Sequence, residues 1–153
     1  VTSRVLDPMV DDDLGDYAQT ADAVLVDAPC TGSGTLRRSP DIRWREARLE
    51  ELRQLQLQVL SNASQLVKAG GRLVYATCSL LAEENQQLVE AFLLANPGFA
   101  REGATFPEFD RTFTALQHQD AALAERLQNV GELQLWPHRH NTDGFYAQVL
   151  RRF

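Results

Sequence analysis

The sequence predicts an α/β fold with a doubly wound sheet, and three features lead to that prediction. Two aliphatic runs, at 23–26 and 72–77, have the composition of strands buried in a sheet. A long segment with helical periodicity lies between them, and a crossover through one helix makes the two strands parallel. In such sheets ligands bind beyond the carboxyl ends of the strands, so the residues that follow each run are the first candidates for function.

The amino-terminal part is predicted to consist of strands and loops. Residues 1–6 read as a short strand that ends at Asp7, before an acidic stretch. The run at 23–26 is continuous in aliphatic residues, which predicts a strand buried on both faces. It ends at 27–30 (DAPC), and the next residues, 31–34 (TGSG), are typical of a loop.

Two helices are predicted on either side of the strand at 72–77. From about Arg45 to Lys68 apolar residues recur every three or four positions, and the pair Gly70-Gly71 is predicted to end this helix. A second helix is predicted at 83–95, with acidic residues in its first turn. The apolar positions of the first helix are Leu49, Leu52, Leu55, Val59, Ala63 and Leu66.

The last third of the chain contains weaker signals. Residues 99–118 are rich in phenylalanine and are predicted to be irregular, and 119–129 are predicted to form a short helix. Segments 133–136 and 145–150 alternate in the manner of strands and are predicted to form an antiparallel hairpin.

Composition limits the function classes. The 153 residues, with 15 Lys+Arg against 21 Asp+Glu and a net charge of −6, suit one domain covering 1–153. No apolar run approaches the ~18–20 residues of a membrane span, so no membrane partner is expected. Two cysteines are too few for a disulfide framework, which favours the cytoplasm. The chain begins at Val1 and its one methionine is Met9, so we expect a piece of a longer protein.

Both cysteines follow predicted strands. Cys30 comes just after the first aliphatic run, and Cys78 ends the second. If the two strands are neighbours, both thiols open into one crevice at the carboxyl edge of the sheet. Buried structural cysteines and a disulfide or redox pair remain alternatives. A metal site is not expected, because the histidines show no ligand spacing to the cysteines: His118, His138 and His140.

Three segments resemble the motifs of the Sun/Fmu-type RNA (cytosine-5) methyltransferases, in particular the branch similar to 16S ribosomal RNA methyltransferase B. The first segment, 27–34 (DAPCTGSG) followed by 37–44 (RRSPDIRW), resembles the fourth motif of that family. The sixth motif resembles 75–79 (YATCS) with 83–85 (EEN), and the closing strand resembles 143–152, which contains DGFY and LRR. The resemblance implies a Rossmann-like fold dependent on S-adenosylmethionine (SAM), and RNA, in particular ribosomal RNA, as the substrate.

The resemblance also implies roles for individual residues. Cys78 is the expected nucleophile that adds to C6 of cytosine, and Cys30 is expected to assist the elimination that releases the RNA. Asp27 is expected to meet the base edge or the methyl donor, with a strand-end cap as the alternative. Pro29 stiffens the turn beside the cofactor, and Asp7 is expected to match the third motif. Other classes left open are a different Rossmann-like transferase, a noncatalytic RNA-binding module and a thiol redox protein.

A basic segment follows the first cysteine and is the expected RNA contact. Its arginines reverse the sign of an acidic chain, and an aromatic side chain among them suits stacking on a base. The alternative is an exposed lead-in to a helix with local ion pairs, such as Glu50 with Arg53. The segment contains Arg37, Arg38, Arg43, Trp44, Arg45 and Arg48. Charge near the carboxyl end is expected to add to it, from His138, Arg139, His140, Arg151 and Arg152.

The family's glycine-rich SAM loop and its first acidic residue do not occur after Val1. We therefore expect the catalytic domain to be incomplete here and the isolated chain to be inactive. We also expect the strand at 23–27 to present an unpaired edge that favours self-association.

Overall fold

The computed structural model describes residues 15–44, 48–103 and 110–153, which form one mixed β-sheet with helices packed against it. The predicted strand at 1–6, Asp7 and Arg45 lie outside the described residues. Two short 3₁₀ segments, Ser33–Thr35 and Pro40–Trp44, lie between the first strand and the first helix. The remaining elements are β1 (Ala21–Asp27), α1 (Leu49–Leu66), β2 (Val67–Thr77), α2 (Gln86–Ala95), β3 (Phe99–Arg101), α3 (Asp110–Gln119), α4 (Ala121–Val130), β4 (Glu132–Leu135), α5 (Pro137–His140) and β5 (Phe145–Arg152).

The sheet has the order β1-β2-β5-β3, and β4 also pairs with β5. The predicted parallel pairing of the first two strands is confirmed, with Asp27 opposite Ala76. Strand β5 runs antiparallel to β2 and places Tyr146 opposite Thr77. The predicted antiparallel pairing of β4 with β5 is confirmed, and the one-turn helix α5 connects them. The carboxyl ends of β1 and β2 therefore share an edge with the beginning of β5.

The hydrophobic core lies between one face of this sheet and the helices α1 and α2. Leu60 of α1 and Leu88 of α2 are fully buried against Leu73 and Tyr75 of β2. Phe92 packs edge-to-face on Phe99, with 5.5 Å between the ring centroids. This core fixes β1 and β2 relative to the crossover helix, and hence fixes the loops that leave them.

Strand β1 is buried on one face only, so the prediction of burial on both faces was wrong. Val26 is 5% exposed and faces the core, whereas Leu25 is 69% exposed. Ala23 and Asp27 are exposed on the same side as Leu25. Successive residues of a strand point to opposite faces, and none of the described elements covers the face that carries Leu25.

The glycine pair does not end the first helix. Helix α1 ends at Leu66, and both Gly70 and Gly71 lie inside β2. The pairing with β1 shifts there, because Ala21 lies opposite Val67 but Ala23 lies opposite Arg72. Gly70 adopts a φ of +75°, which a glycine adopts without steric cost. The pair therefore serves a bulge in β2, a use of glycine that the sequence pattern did not distinguish from a helix stop.

Helix α2 begins later than predicted. It starts at Gln86, and Glu83 and Glu84 belong to the turn before it, so they are not acids of its first turn. The described parts of 99–118 are more regular than predicted, because they contain β3 and most of α3, and residues 104–109 lie outside the described residues. The short helix predicted at 119–129 is confirmed as α4.

The carboxylate of Glu102 links β2 to β5 at the end of the sheet remote from Thr77. Glu102 accepts a hydrogen bond from Arg72 Nε of β2 at 2.8 Å and another from Arg151 of β5 at 2.7 Å. Burial opposes ionisation of Glu102, but the two guanidinium groups outweigh it and hold the pKa of its carboxyl below the usual value. Arg152 donates to the carbonyl of Val67 at 2.7 Å. Arg151 and Arg152 thus lie at the end of β5 remote from Thr77, and their expected addition to the RNA contact stays a prediction.

Replacing Glu102 by glutamine should destabilise the protein by about 1–2 kcal/mol at neutral pH, because the charge-assisted hydrogen bonds to two arginines are weakened or broken. A lowered folded-state pKa contributes stability above the unfolded pKa, and this contribution disappears as the pH falls through the folded value. Urea unfolding of wild type and E102Q at pH 7 and at progressively lower pH should therefore show a difference that shrinks on acidification. A difference that stays constant with pH would contradict this role.

Candidate active site

The two cysteines meet at the carboxyl edge of the sheet. Cys30 Sγ lies 3.4 Å from Cys78 Sγ, and both residues are partly buried. The parallel register that places Asp27 opposite Ala76 brings the two chain exits to the same level. The predicted convergence of the thiols in one place is therefore confirmed, and neither sulfur is enclosed in the hydrophobic core.

The Cys30 thiol is partly removed from water and lies against the sulfur of Cys78. Burial, followed by the hydrogen bond with Cys78, raises the pKa of Cys30 to about 12. Cys30 is accordingly a neutral thiol at physiological pH and can donate its hydrogen to the sulfur of Cys78. A thiol in this position stabilises negative charge on the neighbouring sulfur without competing with it as a nucleophile.

The loops that carry the site are in close backbone contact. Gly34 N donates to the carbonyl of Cys78 at 2.9 Å, and Gly144 N donates to the carbonyl of Gly34 at 2.8 Å. A Cβ atom placed on Gly34 would lie 2.7 Å from the carbonyl oxygen of Cys78 and still closer to that of Gly144. Only a residue without a side chain fits at this crossing, which joins the loops after β1 and β2 to the loop before β5.

A buried polar cluster supports both cysteine loops, and sequence reasoning gave it no role. Glu84 lies at its centre, fully buried, and accepts hydrogen bonds from Thr31, Gln56 and Ser79. Ser33 Oγ lies 3.2 Å from Ser79 Oγ. The sequence carried one usable signal, because Gln56 lies between Leu52 and Leu60 at helical spacing and interrupts an otherwise apolar face of α1.

The residues expected at the cofactor lie on the rim of this site. Asp27 is exposed at the last position of β1, three residues before Cys30. Pro29 is exposed, and its carbonyl accepts a hydrogen bond from Gln56 Nε2 at 2.8 Å. Asp7 lies outside the described residues. An exposed carboxylate at a strand end can accept hydrogen bonds from the ammonium group or hydroxyls of a ligand.

The basic segment borders the same edge. Arg37 donates to Asn141 Oδ1 at 3.3 Å, and Arg38 pairs with Asp143 at 2.5 Å. Asp143 precedes Gly144, the residue that contacts the cysteine loops. Arg43 is exposed, and Trp44 is 83% exposed. Arg37 and Arg38 therefore connect the basic segment to the loop before β5.

The other basic residues named from the sequence are engaged in local contacts. Arg48 pairs with Glu51, and the expected pair of Arg53 with Glu50 is present at 3.4 Å. Arg139 and His140 of α5 both contact Asp120. The backbone hydrogen bond from Leu123 and then these two side chains hold the pKa of Asp120 below its usual value despite partial desolvation. Helix α5 follows β4 at the edge of the sheet that carries the cysteines, and the ring of His138 contacts that of Trp136.

Two further findings apply to the part of the chain that the structure describes. No group of three or more His, Cys, Asp or Glu side chains has the arrangement of a metal site there. Within the same ranges, no helix combines the length and hydrophobicity needed to cross a bilayer.

Comparison with known proteins relates this geometry to a family. The family model for "16S rRNA methyltransferase RsmB/F" matches residues 7–151. A putative methyltransferase of Mycobacterium tuberculosis, Rv1407, is 41% identical over 133 residues, which are 86% of this chain and 26% of that protein. The ribosomal RNA small subunit methyltransferase B of Shewanella oneidensis is 39% identical over 133 residues, 85% of this chain and 27% of that protein.

A solved structure shows the same fold. The crystal structure of NSun6 from Pyrococcus horikoshii with SFG matches with a TM-score of 0.62 and 27% identity, over 94% of this chain and 33% of that one. The predicted α/β fold of a SAM-dependent methyltransferase is thereby confirmed, and the chain spans about a quarter of the length of the curated relatives it matches. The chain belongs to the RsmB/F family of 16S rRNA methyltransferases.

Proposed function

We propose that residues 1–153 are the carboxyl-terminal portion of the catalytic domain of a SAM-dependent RNA (cytosine-5) methyltransferase that acts on ribosomal RNA in the cytoplasm. The observation that carries the proposal is the pair of thiols 3.4 Å apart at the ends of neighbouring parallel strands. Relatives named for the methylation of small-subunit ribosomal RNA support this substrate class.

Two thiols suit the chemistry of this reaction. The C5 carbon of cytosine is too weak a nucleophile to attack a methyl sulfonium directly. Addition of the Cys78 thiolate to C6 makes C5 electron-rich, so that C5 takes the methyl group. Loss of the C5 proton to a base then restores the ring double bond and breaks the bond between C6 and Cys78 Sγ. One difficult step is replaced by easier ones.

The surroundings of the thiols support different roles for them. Cys30 carries a raised pKa, and its sulfur lies within hydrogen-bond distance of Cys78, so its thiol can act as the donor. In the proposed elimination Cys30 hydrogen-bonds to the departing sulfur and stabilises it as a leaving group. Cys78, which directly follows the last residue of β2, is the proposed nucleophile.

SAM supplies the methyl group when it is bound. The residues present fit the polar end of this cofactor in part, since the Asp27 carboxylate is exposed beside the thiols and can hold an ammonium or a hydroxyl group. Pro29 restricts the turn between Asp27 and Cys30, and Asp7 is proposed to add a second carboxylate. The NSun6 structure contains SFG, an analogue of SAM, which supports SAM as the cofactor here.

Arg37, Arg38, Arg43 and Trp44 are the proposed RNA contacts. Arginine binds phosphate with two parallel hydrogen bonds, and an exposed indole stacks on a base. Reaction at C5 and C6 requires a cytosine that is unstacked, so the target is proposed to be single-stranded or flipped out of a helix. Self-association through the edge of β1 stays a prediction; among the described strands, only β2 pairs with β1.

A thiol redox protein is the second candidate, because sulfurs 3.4 Å apart are also poised to form a disulfide. It predicts that both cysteines are equivalent in function, whereas the methyltransferase assignment predicts that they are not. Replacing each cysteine in turn distinguishes the redox protein from the methyltransferase.

In the full-length protein, Cys78→Ala should abolish methylation, to below about one-thousandth of the wild-type rate, the scale seen when a nucleophile is removed. It should also form no covalent complex with RNA. Cys30→Ala should instead accumulate a covalent protein–RNA complex, because attack proceeds and elimination is slowed. Denaturing gels with labelled RNA and methyl incorporation from labelled SAM measure both. Identical behaviour of the two variants would reject the assigned roles.

Neutralising Arg37 and Arg43 together as glutamine should weaken RNA binding, because each arginine is proposed to neutralise a phosphate. The slope of log affinity against log salt should fall by roughly one for each phosphate that is no longer neutralised. Arg101→Gln is the control, because Arg101 lies on β3 at the remote end of the sheet and pairs with Glu90 of α2. Filter binding over a salt series measures both. If the control and the double variant have the same effect, the basic segment is not where RNA binds.

A further inference from the structure

Glu84 is a fully buried carboxyl group in the turn between β2 and α2. A buried carboxyl group is costly unless hydrogen bonds replace the water that solvated it. Its neighbour Glu83 is only partly buried. The burial of Glu84 therefore has to be explained by what it contacts.

Those contacts come from three elements. Thr31 donates its backbone N–H to Oε1 at 2.9 Å and its hydroxyl to Oε2 at 2.6 Å. Gln56 of α1 donates Nε2–H to Oε1 at 2.9 Å, and the hydroxyl of Ser79 donates to Oε2. All four donors are neutral, and together they occupy the acceptor sites that a carboxylate offers. Thr31 follows Cys30 in the chain, and Ser79 follows Cys78.

The two cysteines depend on this cluster unequally. Cys78 directly follows the last residue of β2, where sheet pairing holds Thr77 opposite Tyr146. Cys30 lies three residues beyond the end of β1. The residue before it, Pro29, is held through its carbonyl by Gln56, and the residue after it, Thr31, is held by Glu84. The chain neighbours of Cys30 are thus linked to one buried carboxyl group, Thr31 directly and Pro29 through Gln56.

We propose that Glu84 is a positioning residue that holds the loop of Cys30 so that its sulfur stays against that of Cys78. Its catalytic consequence rests on the function proposed above. Removal of the carboxylate frees Thr31, displaces the Cys30 thiol and leaves the Cys78 end of β2 in place. The elimination step, which needs Cys30, is slowed more than the attack by Cys78.

Glu84→Gln is the informative substitution because it keeps the volume and changes the hydrogen-bond pattern. A glutamine offers one acceptor oxygen and directs N–H groups at donors that previously met a second oxygen. Leaving such buried donors unpaired disfavours the original loop position. Glu83→Gln is the matched control, since it makes the same chemical change at the adjacent residue outside the cluster.

The first experiment measures the proximity of the sulfurs without any methyl transfer. Diamide, which is reduced as it takes up the two thiol hydrogens, is added to the full-length protein, and formation of the Cys30–Cys78 disulfide is followed by peptide mass spectrometry. E84Q should form it at least about fivefold more slowly than wild type and E83Q, because alignment sets the effective concentration of the two groups. An unchanged rate in E84Q, at a temperature below its melting transition, overturns the proposal.

The second experiment measures the chemical consequence. E84Q should lower kcat by at least about tenfold with KM for RNA changed less than about threefold, and should raise the steady-state fraction of covalent protein–RNA complex. A purely structural defect would reduce the amount of active enzyme but leave the fraction of covalent complex unchanged. An unchanged fraction in E84Q therefore overturns the proposal. If Cys30→Ala forms no complex with RNA, the proposed function fails, and the disulfide rate still decides the role of Glu84.

If E84Q does not fold, Thr31→Val provides the second test. Valine has nearly the shape of threonine but removes the hydroxyl that donates to Glu84 Oε2 at 2.6 Å. It should slow disulfide formation in the same direction by at least about twofold, consistent with removal of one of the four hydrogen bonds. A wild-type rate in T31V would overturn the proposal.

Discussion

The site depends on the parallel pairing of β1 with β2. Because Asp27 lies opposite Ala76, the two strands end at the same level and both loops turn into the same space. Packing of α1 and α2 on one face of β2 fixes that register, since a shift by one residue would turn Tyr75 and Leu73 out of the core. Two sulfurs remote in sequence are brought together by this backbone arrangement before any side chain contributes.

Polar side chains then refine what the backbone arranges. Strand pairing alone leaves Cys30 on a loop, and a loop is the part of a fold with the least intrinsic order. The cluster centred on the buried Glu84 adds the missing constraints, and it does so with neutral donors. Arg38 forms an ion pair with Asp143, so the basic segment is attached to the same edge of the sheet as the thiols.

The elements with strong periodicity were predictable, and the features that depend on tertiary context were not. Two aliphatic runs and one long helix sufficed to place Cys30 and Cys78 together. The same local rules misassigned Gly70, because a glycine that ends a helix and one that forms a bulge have identical sequence signatures. They treated Glu84 as a first-turn acid, since its burial depends on Thr31 and Gln56, which are far away in the chain. The prediction that β1 is buried on both faces failed because composition does not reveal which elements cover a strand.

The crossing of Gly34 and Gly144 has a consequence for how this protein tolerates change. Neither residue carries a functional atom, yet a single added methyl group at Gly34 would press on the carbonyls of Cys78 and Gly144. The loops would have to move apart to make room for the methyl group, and this movement would displace Cys78. Mutational sensitivity should therefore extend to Gly34 and Gly144, where the backbones of three loops are in direct contact: the loops after β1 and β2 and the loop before β5.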